Sequence, residues 1–164
     1  MTPTLHLLCG KIAAGKSSLA AALGAAPMTI IVSEDKWMFP LFGSEMKSVE
    51  DYVRYSARLR AAMAPHLVEL LKAGLSVVLD YPANTLSNRA WMRDIAAQAG
   101  AAHQLHWLDV PDEVCRARLR ARNATGEHEF AATDAQFDLI TSHFVPPTAD
   151  EGLEIVVHRA ETHG

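Results

Sequence analysis

Eight consecutive residues, Gly10-Lys11-Ile12-Ala13-Ala14-Gly15-Lys16-Ser17, match the pattern G-x-x-x-x-G-K-[ST] at every fixed position. The pattern has a direct chemical meaning. Glycines at this spacing let the backbone curl so that successive N–H groups point inward, where they can hold phosphate oxygens. A lysine at position 16 reaches the β- and γ-phosphates of a nucleoside triphosphate, and the Ser17 hydroxyl is a ligand for Mg²⁺. A helix that starts at once behind such a loop directs its positive end at the same negative charge. Gly10, Ala13, Ala14, Gly15, Lys16, Ser17 and Ser18 are therefore the candidate residues for ATP and its Mg²⁺.

Three carboxylates are candidates for the rest of the chemistry. Transfer of a phosphoryl group to an alcohol needs a group that takes the hydroxyl proton and aligns the oxygen. Ser33-Glu34-Asp35 follows a β-branched run and should emerge at the carboxyl edge of a sheet, where open α/β folds bind ligands. Glu34 and Asp35 are both placed for that work, with Asp35 first, unless Asp35 merely caps the segment that follows. Asp80 ends the apolar run Val77-Val78-Leu79; it is a candidate metal residue with Ser17, an orienting group for the acceptor, or a turn former. Trp37, Met38, Phe39, Leu41 and Phe42 read either as core or as an apolar wall beside the acceptor. Arg116, Arg118, Arg120 and Arg122 alternate along a helix, with Arg118 and Arg122 on one face. They form a solvated charged surface, or Arg118 and Arg122 stand at the mouth of a lid over about 123–131 and stabilise transferring charge.

The elements that must position these groups alternate along the chain. Leu5–Cys9, Thr29–Val32, Leu75–Asp80, Ala102–Leu108 and Leu153–His158 read as strands, the central ones almost wholly apolar. Helices fit Lys16–Leu23, Ser87–Ala99, about Pro111 to Arg122, and Thr133 to about Phe144. Helical spacing also runs from Ser48 to Ala73, where Pro65 is expected to divide two helices. Continuous apolar strands alternating with helices imply a five-stranded parallel sheet covered on both faces, a three-layer α/β fold. One domain over 1–164 accommodates it, with a substrate-helix insertion at about 36–74.

Composition narrows the function classes. The chain has 164 residues, 49% of them hydrophobic, which suits a globular domain able to bury roughly 70% of its unfolded surface. A net charge of −4 speaks against an extended nucleic-acid or membrane-surface binder, so the partner is expected to be small. Cys9 and Cys115 cannot form a disulfide framework, and the opening residues carry no basic leader; both features suggest a reducing, cytoplasmic setting. The eight histidines are scattered, and His103 and His106 should point to opposite faces of a strand, so no metal site is expected. Arg89 reads as a surface helix residue. A GTPase is excluded by the absence of N-K-x-D and D-x-x-G, since Asp80 precedes Tyr81-Pro82-Ala83. A motor or AAA-type ATPase would need more chain for its sensor regions.

The order of the phosphate loop, Ser33-Glu34-Asp35, Val77–Asp80, Arg118–Asn123 and Phe144-Val145-Pro146-Pro147 resembles the small P-loop kinases grouped around polynucleotide 5′-kinase, zeta toxin and chloramphenicol phosphotransferase. The resemblance implies an ATP- and Mg²⁺-dependent phosphotransferase acting on a hydroxyl of a small molecule or nucleotide end. It implies Asp35 as the base, Asp80 as a Walker B-type carboxylate, and one arginine of 118–122 on the phosphates with another packing the base. Acceptors vary widely within that group. A nucleoside-monophosphate-like kinase, using Arg54, Arg58 and Arg89 to clamp a phosphate acceptor, and a non-catalytic ATP-binding regulator are the competing readings.

Overall fold

A computed structural model of the chain describes residues 2–125 and 133–159. The strands are β1 (Thr4–Cys9), β2 (Thr29–Ser33), β3 (Ser76–Asp80), β4 (Ala102–Asp109) and β5 (Ile155–Arg159). They form one sheet in the order β2-β3-β1-β4-β5, and every neighbouring pair is parallel. The helices are α1 (Lys16–Gly24), α2 (Glu34–Phe42), α3 (Val49–Lys72), α4 (Leu86–Ala99), α5 (Asp112–Thr125) and α6 (Asp134–Ser142), with a 3-10 turn at Ala149–Glu151. The three-layer α/β arrangement expected from the alternation of elements is the one observed.

The two faces of the sheet have separate cores. Leu5, Leu7 and Cys9 of β1 join Val77, Leu79 and Leu105 beneath Leu59, Met63, Leu67 and Leu71 of α3 and Met92 and Ile95 of α4. Alternate residues point the other way. Leu8 and Val78 meet Ala20 of α1, while Leu108 packs with Ala14, Cys115, Leu119 and Phe137. Burial on both faces is why β1 and β3 lack the polar alternation of a half-exposed strand.

Helix α2 is not among the helices expected from the sequence, and α3 and α5 differ from their expected extents. Helix α3 continues through Pro65 as a single helix. Its buried stripe Leu59, Met63, Leu67, Leu71 runs unbroken, while Pro65 and Ala61, whose carbonyl loses its partner, are exposed. Packing on one side therefore outweighs one missing hydrogen bond on the other. Helix α5 extends to Thr125, so the first residues assigned to a lid are helical. The rest of that segment, 126–131, lies outside the described residues.

Arg89 is the larger correction. It is not on the surface: it is 0% exposed and is the largest fully buried side chain among the described residues. Its Nε donates to Glu151 Oε1 at 2.7 Å, and its Nη1 donates to the carbonyls of Ala83 (3.0 Å) and Val145 (2.8 Å). The sequence signal misled because a lone arginine on an amphipathic helix is normally solvated. Here the Ala83 carbonyl, six positions away, and two acceptors from the distant chain before β5 replace the water. Burial alone would raise the Glu151 pKa, but hydrogen bonds from Arg89 and from the Thr148 N–H, together with the Arg89 charge, hold it below its ordinary 4.5. A carboxyl whose folded pKa is depressed adds stability above its unfolded pKa, and that stability is lost as pH falls through the folded value.

Arg89→Leu should lower the unfolding free energy by about 3 kcal/mol, because it strands a carboxylate and two carbonyls. It should also flatten the loss of stability below about pH 4.5. Urea denaturation across pH checks both, and a loss under about 1 kcal/mol would contradict this account of Arg89.

Candidate active site

The phosphate loop leaves β1 at the centre of the sheet. Chain order reverses there: β2 and β3 lie on one side of β1, β4 and β5 on the other. Ligands of open parallel sheets bind at the carboxyl ends beside such a switch point. Two backbone positions shape the loop. Gly15, the residue before α1, adopts φ +108°, and Ala13 adopts φ +63° although it carries a Cβ. At Gly10 the constraint is space: a Cβ there would meet the Cβ atoms of Ala14 and Leu108 at 3.2 and 3.3 Å.

The loop is anchored on several sides. Gly10 N–H donates to Asn84 Oδ1 at 3.0 Å, and the Asn84 carbonyl accepts from Val145 N at 2.8 Å. Asn84 thus ties the loop to the two segments that Arg89 fastens. Lys11 pairs with Asp112 at the start of α5. Arg118 Nη1 donates to the Ala14 carbonyl at 3.2 Å, so this arginine touches the phosphate loop itself. Arg116 and Arg120, on the other face of α5, pair with Asp138 and Asp134 of α6. Arg122 lies one turn beyond Arg118 and is half-buried.

On the β4–β5 side, Ala13, Ala14, Gly15 and Ser18 line a cleft of about 480 Å³ with Leu108, Val110, Arg118, His158 and Arg159. Ser17 and Ser18 are exposed in the first turn of α1. Lys16 Nζ donates to the Gly10 carbonyl at 2.8 Å. Burial pulls its pKa below the ordinary lysine value, while the charges of Asp80 and Asp35 work in the opposite direction.

The β3–β2 side carries the carboxylates. Strand register sets Ser33 opposite Asp80, so Glu34 and Asp35 emerge directly beside the end of β3. Desolvation raises the pKa of Asp35, opposed by Lys16. Desolvation likewise raises that of Asp80, opposed by Lys16 and reinforced by Asp35. These mutual effects place Lys16, Asp35 and Asp80 within one electrostatic neighbourhood. Neither aspartate accepts a side-chain hydrogen bond among the described residues. Glu34 differs sharply. It is buried, accepts from Tyr52 Oη and from Ser56 Oγ (2.9 Å), and lies 3.7 Å from Arg60, all on α3. Its carboxylate is committed to holding α2 against α3. The apolar residues that follow divide: Met38 is core and Phe42 stacks on Tyr55, whereas Trp37, Phe39 and Leu41 are exposed.

Sequence reasoning missed Asn84, Glu151 and the histidines. Asn84 carried only the signal of a polar residue four places after a strand-end aspartate. His6, His106 and His158 are not scattered in space. Register sets Leu8 opposite His106 and Leu108 opposite His158, so steps of two residues keep all three rings on one face. His6 Nδ1 and His106 Nε2 are 3.0 Å apart, as are His106 Nδ1 and His158 Nε2.

A phosphate loop at the central strand of a five-stranded parallel sheet, with carboxylates on the neighbouring strand ends, defines the fold of a small P-loop kinase. The family model described as an AAA domain, AAA_33, matches residues 5–147, and the chain belongs to that family. Several solved structures share the fold. A protein of Chloroflexus aurantiacus assigned as a kinase is 20% identical with a TM-score of 0.72, covering 96% of this chain and 85% of its own. A sugar kinase from Janibacter is 16% identical with a TM-score of 0.66, covering 97% and 86%. The Mycobacterium tuberculosis APS kinase CysC, in complex with AMPPNP and APS, is 18% identical with a TM-score of 0.60, covering 95% and 88%. No curated protein matches the chain. Among the described residues, no helix is long and apolar enough to cross a membrane.

Gly15→Ala and Gly74→Ala put a Cβ on left-handed backbone of φ +108° and +97° respectively. Each should cost roughly 1–2 kcal/mol of stability. Only Gly15→Ala should also weaken AMPPNP binding, by at least about tenfold, because only it distorts the phosphate loop. Calorimetry with both variants checks this, and unchanged affinity in Gly15→Ala would contradict the loop assignment.

Proposed function

We propose that the protein is an ATP-dependent phosphotransferase that moves the γ-phosphoryl group to a hydroxyl of a small molecule or a nucleotide end. The observation that carries this reading is the division of the sheet edge. The phosphate loop sits at β1, a cleft lined by residues of the loop, β4 and β5 lies on one side, and two weakly partnered aspartates stand on β3 and beyond β2. The nucleoside occupies the β4–β5 side, which turns the γ-phosphate toward Asp80 and Asp35. The acceptor then enters from the β3–β2 side. The Janibacter relative is by its name a kinase of a sugar, and sugars present hydroxyls.

Roles follow from geometry. Backbone N–H groups of 13–18 and the Lys16 ammonium hold the phosphates and compensate charge that builds during transfer. Arg118, on the loop carbonyl of Ala14, lies close enough to share that work, and Arg122 flanks it on the same face of α5. Asp35 accepts the hydroxyl proton while its oxygen aligns the nucleophile. A pKa raised by desolvation suits a base better than a fully solvated carboxylate does. Glu34, committed inside the α2–α3 interface, is not that base.

Ser17 and Asp80 suit Mg²⁺. Both offer hard oxygen ligands, and the half-buried Asp80 carboxylate is without a hydrogen bond among the described residues. Mg²⁺ held there would neutralise charge on the transferring phosphates. The helices of about 36–74 would shape the acceptor subsite. A phosphate acceptor fits less well. Of the three arginines available to clamp one, Arg89 is buried against Glu151, and Arg54 and Arg58 lie on the Tyr55 ring, 5.0 and 5.6 Å from its centroid.

Transfer from γ-labelled ATP to a panel of sugars, nucleosides, oligonucleotide ends and aromatic alcohols tests the reading. With a working acceptor, Asp35→Asn should keep nucleotide affinity within about threefold yet lose at least about a hundredfold in transfer. Full transfer by Asp35→Asn would overturn the base assignment. Release of phosphate alone, with every acceptor, would overturn the transferase reading.

A further inference from the structure

The histidine row ends at the nucleotide cleft. His158 lines the cleft, and its Nε2 is used by His106, so Nδ1 is the ring nitrogen left over. We propose that His158 Nδ1 contacts the edge of the nucleobase, and that the hydrogen-bonded row behind it lets this nitrogen act as acceptor or donor, so that adenine and guanine nucleotides bind alike. The inference rests on the nucleotide occupying the β4–β5 side.

Placement comes first. The phosphates must lie at the loop end of the cleft, where the N–H groups converge. From β1 the cleft crosses β4, with Leu108 and Val110, and reaches β5, with His158 and Arg159. Two strand spacings are roughly 10 Å, enough to pass a ribose and reach the base. Apolar Leu108 and Val110 suit the flat face of a purine, and a ring nitrogen suits its edge.

The row supplies the second half. Its contacts are edge to edge: N···N distances are 3.0 Å, while ring centroids are 5.3 and 5.2 Å apart with tilts of 33° and 34°. His106 is buried, and burial together with its two neighbours holds its pKa at about 4, so the middle ring is neutral and carries one proton. Two polarities satisfy both hydrogen bonds equally. In one, His158 Nε2–H donates to His106 Nδ1, His106 Nε2–H donates to His6 Nδ1, His6 holds its proton on Nε2, and His158 Nδ1 is an acceptor. In the other, His6 Nδ1–H donates to His106 Nε2, His106 Nδ1–H donates to His158 Nε2, and His158 Nδ1 carries a proton. Conversion from the first to the second moves one proton across each N···N contact, releases one to water at His6 Nε2 and takes one up at His158 Nδ1. Each ring holds one proton before and after.

A carbonyl behind His158 would fix Nε2–H and leave Nδ1 as acceptor only. A second histidine, itself backed by a third, imposes no such choice. Adenine presents its N6 amino donor where guanine presents its O6 acceptor. The first polarity matches adenine and the second matches guanine, with no hydrogen bond lost in either.

The test uses the ¹⁵N-labelled full chain with Mg²⁺ and AMPPNP, GMPPNP or tripolyphosphate. Calorimetry should give affinities for the two analogues within about threefold of each other. Histidine ring spectra should place the His106 proton on Nε2 with AMPPNP and on Nδ1 with GMPPNP, although His106 does not line the cleft. His158→Leu should weaken both analogues roughly threefold to tenfold and leave tripolyphosphate, which has no base, unchanged. More than a tenfold preference between the analogues, or one His106 tautomer with both, would overturn the proposal. So would equal weakening of tripolyphosphate in His158→Leu. Failure of all three ligands to bind the wild-type chain would instead overturn the nucleotide reading, and this proposal with it.

Discussion

The buried Arg89–Glu151 pair is the constraint on which the site depends. A guanidinium removed from water is costly unless every direction it faces offers an acceptor. Arg89 offsets most of that cost with one carboxylate and two carbonyls drawn from the loop after β3 and from the chain before β5, while its Nη2 is buried without a hydrogen-bond partner among the described residues. Those are the segments that Asn84 joins to Gly10, the first residue of the phosphate loop. The same clasp therefore fixes where the loop begins and how the chain passes beneath it. It also bears on Cys9, whose thiol burial pushes up to about 11 while the nearby Arg89 charge works against that shift.

With the loop fixed at the central strand, register and topology divide the work. β4 and β5 extend a cleft from the loop to one side, and β3 and β2 bring Asp80 and Asp35 up on the other. Glu34 contributes indirectly. By accepting from Tyr52 and Ser56 inside the α2–α3 interface it fixes the first turn of α2, and hence the position of its neighbour Asp35. Adjacent acidic residues in one turn thus do different jobs because one faces α3 and the other opens to solvent.

What was legible in the sequence was local. The phosphate loop follows from fixed residue types at fixed spacing, and the three-layer fold follows from apolar strands alternating with helices. What was not legible depends on partners far away in sequence. Arg89 looks solvated until Val145 and Glu151 are brought to it, and Glu34 looks like a base until Tyr52, Ser56 and Arg60 surround it. The histidine row spans 152 positions from His6 to His158 and exists only because the registers of β1, β4 and β5 advance in steps of two. Pro65 misled for the complementary reason: its own rule is local, and the apolar stripe that overrides it is not.

The most direct measurement is a crystal structure of the protein with Mg²⁺ and AMPPNP, read for one distance. If the sheet edge divides as described, the base of the nucleotide lies toward His158 and the γ-phosphoryl group faces Asp35. A carboxylate oxygen should then stand roughly 6 Å from the γ-phosphorus, leaving room for one hydroxyl in line between them. A γ-phosphoryl group turned toward β5, with Asp35 more than about 10 Å away, would leave no place for a hydroxyl between base and phosphorus and would contradict the account.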